Sequence, residues 1–192
     1  MNANISEMDR INFEFEEKEV TIIAKESTEL ILIDGIHFAL KKNQKIKVPY
    51  WIAKELISMG KVELDSKTFI SFPILDRIHN EEQSTPALVE IDPFLFRKVR
   101  EETKRLEEER TSMSIKIKQQ MEGVFNQLLL LRLKKILKIA ERVNPGSSTS
   151  EKYMTPEEKW LFNQIGSIVK EWKEKIGLES PVEEYAEFEF IT

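Results

Sequence analysis

Polar and apolar positions alternate through Lys45-Ile46-Lys47-Val48, and they alternate again through Lys61-Val62-Glu63-Leu64. A period of two predicts half-buried strands. Between these runs the period changes. Ile52, Leu56 and Met59 recur at spacings of four and three, flanked by Trp51 and Ile57, which predicts a helix with one buried stripe. Pro49 suits the first helical position, and Gly60 suits the residue just past the helix end. Upstream, Val20 to Ala24 and Leu30 to Asp34 are β-rich runs joined by the polar Lys25 to Glu29, which predicts a hairpin between them. Phe13-Glu14-Phe15-Glu16 alternates and predicts a first strand after a loose start over Met1 to Arg10. Gly35 permits a sharp turn, and His37 to Leu40 continue the sheet. These elements predict a small β-rich domain over residues 1–65.

From residue 66 onward the pattern is helical. Pro73 opens a short helix through Ile78, followed by a polar loop from Asn80 to Pro86. Asp92-Pro93 marks the start of a charged amphipathic helix carrying Phe94, Val99 and Leu106. A long helix is expected from Ser112 to Val143. Leu129, Leu130, Leu133, Ile136, Leu137 and Ala140 share one arc of it, the side expected to face the chain's own core. Leu128, Leu131 and Ile139 lie outside that arc. A helix that is apolar on more than one side is covered on more than one side. We therefore expect a subunit interface at Leu128, Leu131 and Ile139, together with Trp160 and Trp172; the alternative is a wholly intramolecular core. Asn144 to Lys152 reads as a Pro/Gly/Ser loop. Thr155-Pro156-Glu157-Glu158 carries a cap, a helix-start proline and a capping-box glutamate. It opens a last helix with a stripe of Trp160, Leu161, Ile165, Ile168, Val169 and Trp172, ended by Gly177. The tail Pro181 to Thr192 interleaves glutamates with Tyr185, Phe188, Phe190 and Ile191, as an edge strand, a partner-binding peptide or a frayed end would. The fold class is α+β: a β-rich domain with one helix over 1–65, then a helical domain with an acidic tail over 66–192.

Composition narrows the chemistry. The chain has 192 residues, 41% hydrophobic and 33% charged. Heavy use of Lys, Glu and Ile is typical of proteins from hot environments and predicts a high melting midpoint. The absence of cysteine excludes disulfides, zinc–thiolate sites, iron–sulfur clusters and thiol nucleophiles. Residues 1–4 do not begin a signal peptide, and Val124 to Ala140 is too charged to cross a membrane. His37 and His79 have no ligand-spaced companions, so no metal site is expected. Glycine-rich phosphate cradles and a GxSxG elbow are missing, so no cofactor and no catalytic residue is assigned. A net charge of −5 argues against nucleic-acid binding over the whole surface. One basic side remains, formed by Arg132, Lys135, Lys138 and Arg142 at spacings of three and four. It reads as a solvated face or as a set of phosphate contacts. No aromatic residue alternates with it to stack bases.

The segment VPYWIAKELISMGKVEL resembles the VPLWLA segment of the GINS replication complex, in the subunit type related to its second and third eukaryotic members. EKEVTIIAKESTELILIDG is similar to the β-rich start of that type, in particular of its archaeal version. The resemblance implies a non-catalytic scaffold, cytoplasmic and associated with replication forks. Its helical domain would pair with a sister subunit of reverse domain order, as a heterotetramer or related assembly. It would bridge the MCM helicase to a RecJ-like protein and, in some lineages, contact primase. A different class of function also fits: a nucleic-acid-associated regulator that dimerises through helix 112–143 and reads phosphate with Arg132, Lys135, Lys138 and Arg142.

Overall fold

The computed structural model describes residues 6–65, 68, 70–142 and 151–177. The chain opens not with a strand but with helix α1 (Glu7–Glu16). Ser6 and Asp9 form a capping box: Ser6 Oγ accepts from Asp9 N at 3.1 Å, and Asp9 Oδ2 accepts from Ser6 N at 3.3 Å. Phe13 and Phe15 are two residues apart, which on a helix places them on opposite sides. Phe15 is buried with Ile11, four residues earlier, and Phe13 is exposed. The local alternation was therefore a coincidence of composition, overruled by the cap and the Ile11–Phe15 spacing.

Strand β1 (Glu19–Ala24) is the centre of a three-stranded sheet. It pairs antiparallel with β4 (Lys45–Pro49), Val20 opposite Val48 and Ile22 opposite Ile46. On its other side it pairs antiparallel with β5 (Val62–Leu64). β4 and β5 are thus parallel to each other, and helix α2 (Tyr50–Ser58) crosses between them. Gly60 takes φ +72°, the left-handed conformation expected at the helix end. Pro49 is the last residue of β4 and the N-cap of α2, one position earlier than anticipated. The buried face of α2 is Tyr50, Ile52, Ala53 and Leu56, while Met59 is exposed.

The expected hairpin between residues 20–24 and 30–34 does not form. β2 (Thr28–Ile33) pairs instead with β3 (Ile36–Leu40), Ile33 opposite Ile36. The connection is Asp34-Gly35, with φ of +47° and +79°. Two consecutive positive φ values match the twist of a two-residue hairpin, and Asp-Gly suits that turn. The tight turn outcompetes the longer Lys25 to Glu29 loop.

The rest is helical: α3 (Phe72–Ser84), α4 (Leu95–Glu109), α5 (Ser112–Arg142) and α6 (Pro156–Lys175). α3 runs through most of the polar stretch expected as a loop, because Glu82 has partners on α5. α4 begins two residues later than the Asp92-Pro93 signal suggested; Asp92 Oδ1 instead accepts from Phe94 N at 2.8 Å. Arg110 then adopts left-handed φ +51°, and Thr111 and Ser114 cap α5 reciprocally at 3.0 Å. That sharp reversal lays α5 back against α4. Ile70, Leu75, Leu95, Val99, Leu106, Met121 and Leu128 form the first bundle core, and Leu88, Ile136, Ala140, Met154 and Phe162 the second. The expected 144–152 loop, apart from residues 151 and 152, and the 181–192 tail lie outside the described residues.

The β-rich unit meets the bundle at the end of α1. Phe15 packs against Tyr50 at 4.8 Å and against Phe94 at 5.6 Å between ring centroids. Polar groups rim this contact: Glu16 pairs with Lys54 at 3.2 Å and Arg97 at 3.6 Å, and Asp92 pairs with Lys98 at 2.5 Å and Lys18 at 3.8 Å. Asp92 is held below the ordinary carboxylate value. Burial pushes it up, but the Lys98 ammonium, the Phe94 N–H and Lys18 outweigh burial.

Candidate functional site

Arg132 lies inside the bundle, 1% exposed, where α3, α5 and α6 meet. Its guanidinium has five donor hydrogens in a fixed fork. Nε and Nη2 grip both Glu158 oxygens at 2.6 and 2.8 Å. Nη1 donates to Glu82 Oε2 at 2.6 Å and Val89 O at 3.0 Å, and Nη2 donates also to Tyr153 O at 2.7 Å. Every donor is used. Lys135, one turn on, spends its three on Glu82 Oε1 at 2.6 Å, Glu82 O at 2.5 Å and Ala87 O at 2.8 Å. Glu158 is also the capping-box residue of α6, its Oε2 accepting from Thr155 N at 2.8 Å. One carboxylate thus starts a helix and neutralises a buried arginine. Burial acts to lower the Arg132 pKa, but Glu158 and then Glu82 more than offset it and hold it above the ordinary arginine value.

This geometry corrects the phosphate-contact reading. Arg132 is sealed from solvent and Lys135 is saturated by protein oxygens, so neither is available to a phosphate backbone. Lys138 is exposed, and the Arg142 side chain lies outside the described residues. What remains is not a basic stripe.

The expected interface residues divide in the same way. Leu128 is fully buried in the chain's own first bundle core, not on a face open to another chain. Ile139 is half-buried against the second core, and Leu131 is half-buried. The inward line of α5 is Met121, Leu128, Arg132, Ile136 and Ala140. Leu130 and Leu137, placed in the core by periodicity, face outward.

On α6 the inward line is Glu158, Phe162 and Gly166, four residues apart each time. The denser apolar stripe points away from the bundle. Ile168, Trp172 and Ile176 are 64%, 57% and 50% exposed, again at spacings of four. Trp160 is 38% exposed and lines a groove with Glu7, Arg10 and Glu14 of α1. Trp172 had been named as an expected interface residue; Ile168 had been read only as part of the helix's apolar stripe, and Ile176 was missed. The signal for both was the regular spacing around Trp172.

Among the described residues no cluster of three metal-ligating side chains occurs, and no helix is long and apolar enough to cross a membrane. The charged cluster is internally satisfied, and the outward feature is an apolar helix face.

A β-rich unit docked on a bundle that is fixed inside by ions and left apolar outside defines a subunit built for assembly. The family comparison agrees. Residues 73–177, more than half of the chain, match the GINS complex protein helical bundle domain (Sld5). No curated protein gives a significant match. The chain belongs to the GINS family: it is a GINS subunit of DNA replication, a component of a hetero-oligomeric complex with other GINS subunits.

Proposed function

We propose that this chain is a non-catalytic scaffold subunit of the second/third-subunit type, with its β-rich unit over 1–65 ahead of its helical domain. The match to the GINS bundle domain carries the reading. The outward α6 stripe of Ile168, Trp172 and Ile176, with Leu130 and Leu137 on α5, supports assembly through the helical face. A contiguous apolar face rimmed by charge is the usual mark of a protein contact, and exposed tryptophans serve as its anchors. In this reading the helical domain pairs with a cytoplasmic sister subunit of reverse domain order. The assembly bridges the MCM helicase to a RecJ-like protein, and in some lineages contacts primase. It supports the motor by holding partners in place, without chemistry of its own. The resemblance at residues 17–35 and 48–64 supports an archaeal origin.

Light scattering with and without the sister subunit tests it. The mixture is expected to give one defined hetero-oligomer. Ile168→Ser with Trp172→Ser should weaken that association by about 30-fold, since a hot-spot pair carries about 2 kcal/mol or more. A mixture of two independent species would overturn the reading.

A further inference from the structure

We propose that the acidic, aromatic segment at residues 185–190 of this chain adds a strand to the open edge of β4. The inference stands apart from the replication reading. β4 is the outermost strand of its sheet, in the order β4-β1-β5, and no strand pairs with its other side among the described residues. The backbone shows which groups are free. Ala24 N–H donates to Gln44 O at 3.0 Å, and Tyr50 N–H donates to Lys18 O at 2.9 Å. Bonded positions of an antiparallel pair recur every second residue, so Ile46 and Val48 direct their backbone groups toward β1. Lys45 and Lys47 direct their N–H and C=O groups to the open side.

Charge selects this edge over the others. β2 carries Glu29 and β5 carries Glu63, while β3 offers only His37 as a basic group. β4 alone has two lysines two residues apart and no acid. Lys45 is held by Asp65 at 2.6 Å, and Lys47 has no ion-pair partner among the described residues. Ile46, between them, is only half-buried on the core side.

The complement is in the chain itself. The five glutamates after Gly177, with no lysine or arginine among them, account for the whole net charge of −5. Within that stretch Glu187-Phe188-Glu189-Phe190 alternates with period two. Laid along Lys45-Ile46-Lys47-Val48, in either direction, it sets the two glutamates beside the two lysines and Phe188 beside Ile46. Opposite charges and aromatic–aliphatic neighbours are the favourable cross-strand pairs. An edge strand takes up such a segment through main-chain hydrogen bonds, and the alternate side chains supply the selectivity.

Amide hydrogen exchange on the full chain tests this. Residues 186–190 and the amides of Lys45 and Lys47 are expected to exchange at least about tenfold more slowly than an unstructured peptide. Phe188→Glu with Phe190→Glu should remove the protection at both places. Lys47→Glu should weaken it, and reversing only the glutamate that faces residue 47, Glu189→Lys for a parallel strand or Glu187→Lys for an antiparallel one, should restore it in the Lys47→Glu background. Protection that survives tenfold dilution assigns the strand to the same molecule, and protection that fades assigns it to a second copy. The proposal is overturned by a segment exchanging at the unstructured rate, by protection indifferent to Lys47→Glu, or by lysine amides protected only when the sister subunit is added.

Discussion

Helix α5 packs by two different kinds of chemistry along its length. Its first half buries Met121 and Leu128 among apolar neighbours from α3 and α4. Its second half buries Arg132 and half-buries Lys135 among carboxylates and carbonyls from α3, α6 and the segment after α3. Apolar packing depends on volume and tolerates rearrangement. A buried ion cluster depends on position, because each charge is expensive to hold without its counterpart. The first half therefore supplies cohesion, and the second fixes the register of three helices against one another. It also holds the outward face of α6 in place, since Glu158 belongs to that helix.

Substitutions can separate these roles, and the largest effects are expected in the ionic half. Arg132→Ala leaves Glu82 and Glu158 buried and uncompensated, and should cost about 3–5 kcal/mol in chemical denaturation. Leu128→Ala should cost about 3 kcal/mol by transfer and cavity terms. The conservative pair sharpens the contrast: Leu128→Met should lose less than about 1.5 kcal/mol. Arg132→Lys gives up the two-pronged grip on Glu158 and should lose about 2 kcal/mol or more. Equal losses in the two conservative variants would mean that the ionic half is no more exacting than the apolar one.

The junction between the β-rich unit and α4 gives a milder case. Asp92 is partly solvated, so its ion pairs count for less than those of Arg132. Its folded-state pKa lies below the ordinary 3.8, so its contribution is present above that pH and is lost as the pH falls through the lower value. Asp92→Asn should therefore cost at most about 1 kcal/mol at neutral pH. The gap from the parent should close as the pH is taken below 3.8; a gap constant with pH would remove the ionic explanation. The smallest effect concerns Arg110, whose left-handed φ of +51° is strained for a residue with a side chain. Arg110→Gly should raise stability by up to about 1 kcal/mol, read as a shift of the denaturation midpoint.

Sequence reading and structure part company where charge is buried. On α5 the densest apolar stripe was taken as the core face, and on α6 the apolar stripe singled out left out the buried Phe162. In both, the inward line runs through a charged residue, Arg132 on α5 and Glu158 on α6. Counting apolar positions penalises that line and rotates the inferred face, so Leu128 was placed outside and Leu130 and Leu137 inside. Phe162, fully buried between Glu158 and Gly166, was passed over for the same reason. Capping chemistry misled by no more than two positions, at Pro49 and at Asp92-Pro93. Thr155 to Glu158, Gly60 and Gly177 act as their residue types require, because a cap is satisfied by neighbours in sequence.

By itself the sequence determined the α+β class, the β4–α2–β5 unit, the long helix from Ser112 and the capped start of α6. It also carried the likeness to GINS subunits. Each of these rests on interactions within a few residues or on a run of matching positions. The tertiary structure decided that Phe15 belongs to a helix, that β2 turns back onto β3, and which sides of α5 and α6 face inward. Those outcomes rest on partners far apart in the chain. Arg132 can enter the interior only because Glu82 lies 50 residues before it and Glu158 lies 26 after it, and no local pattern records that their carboxylates meet.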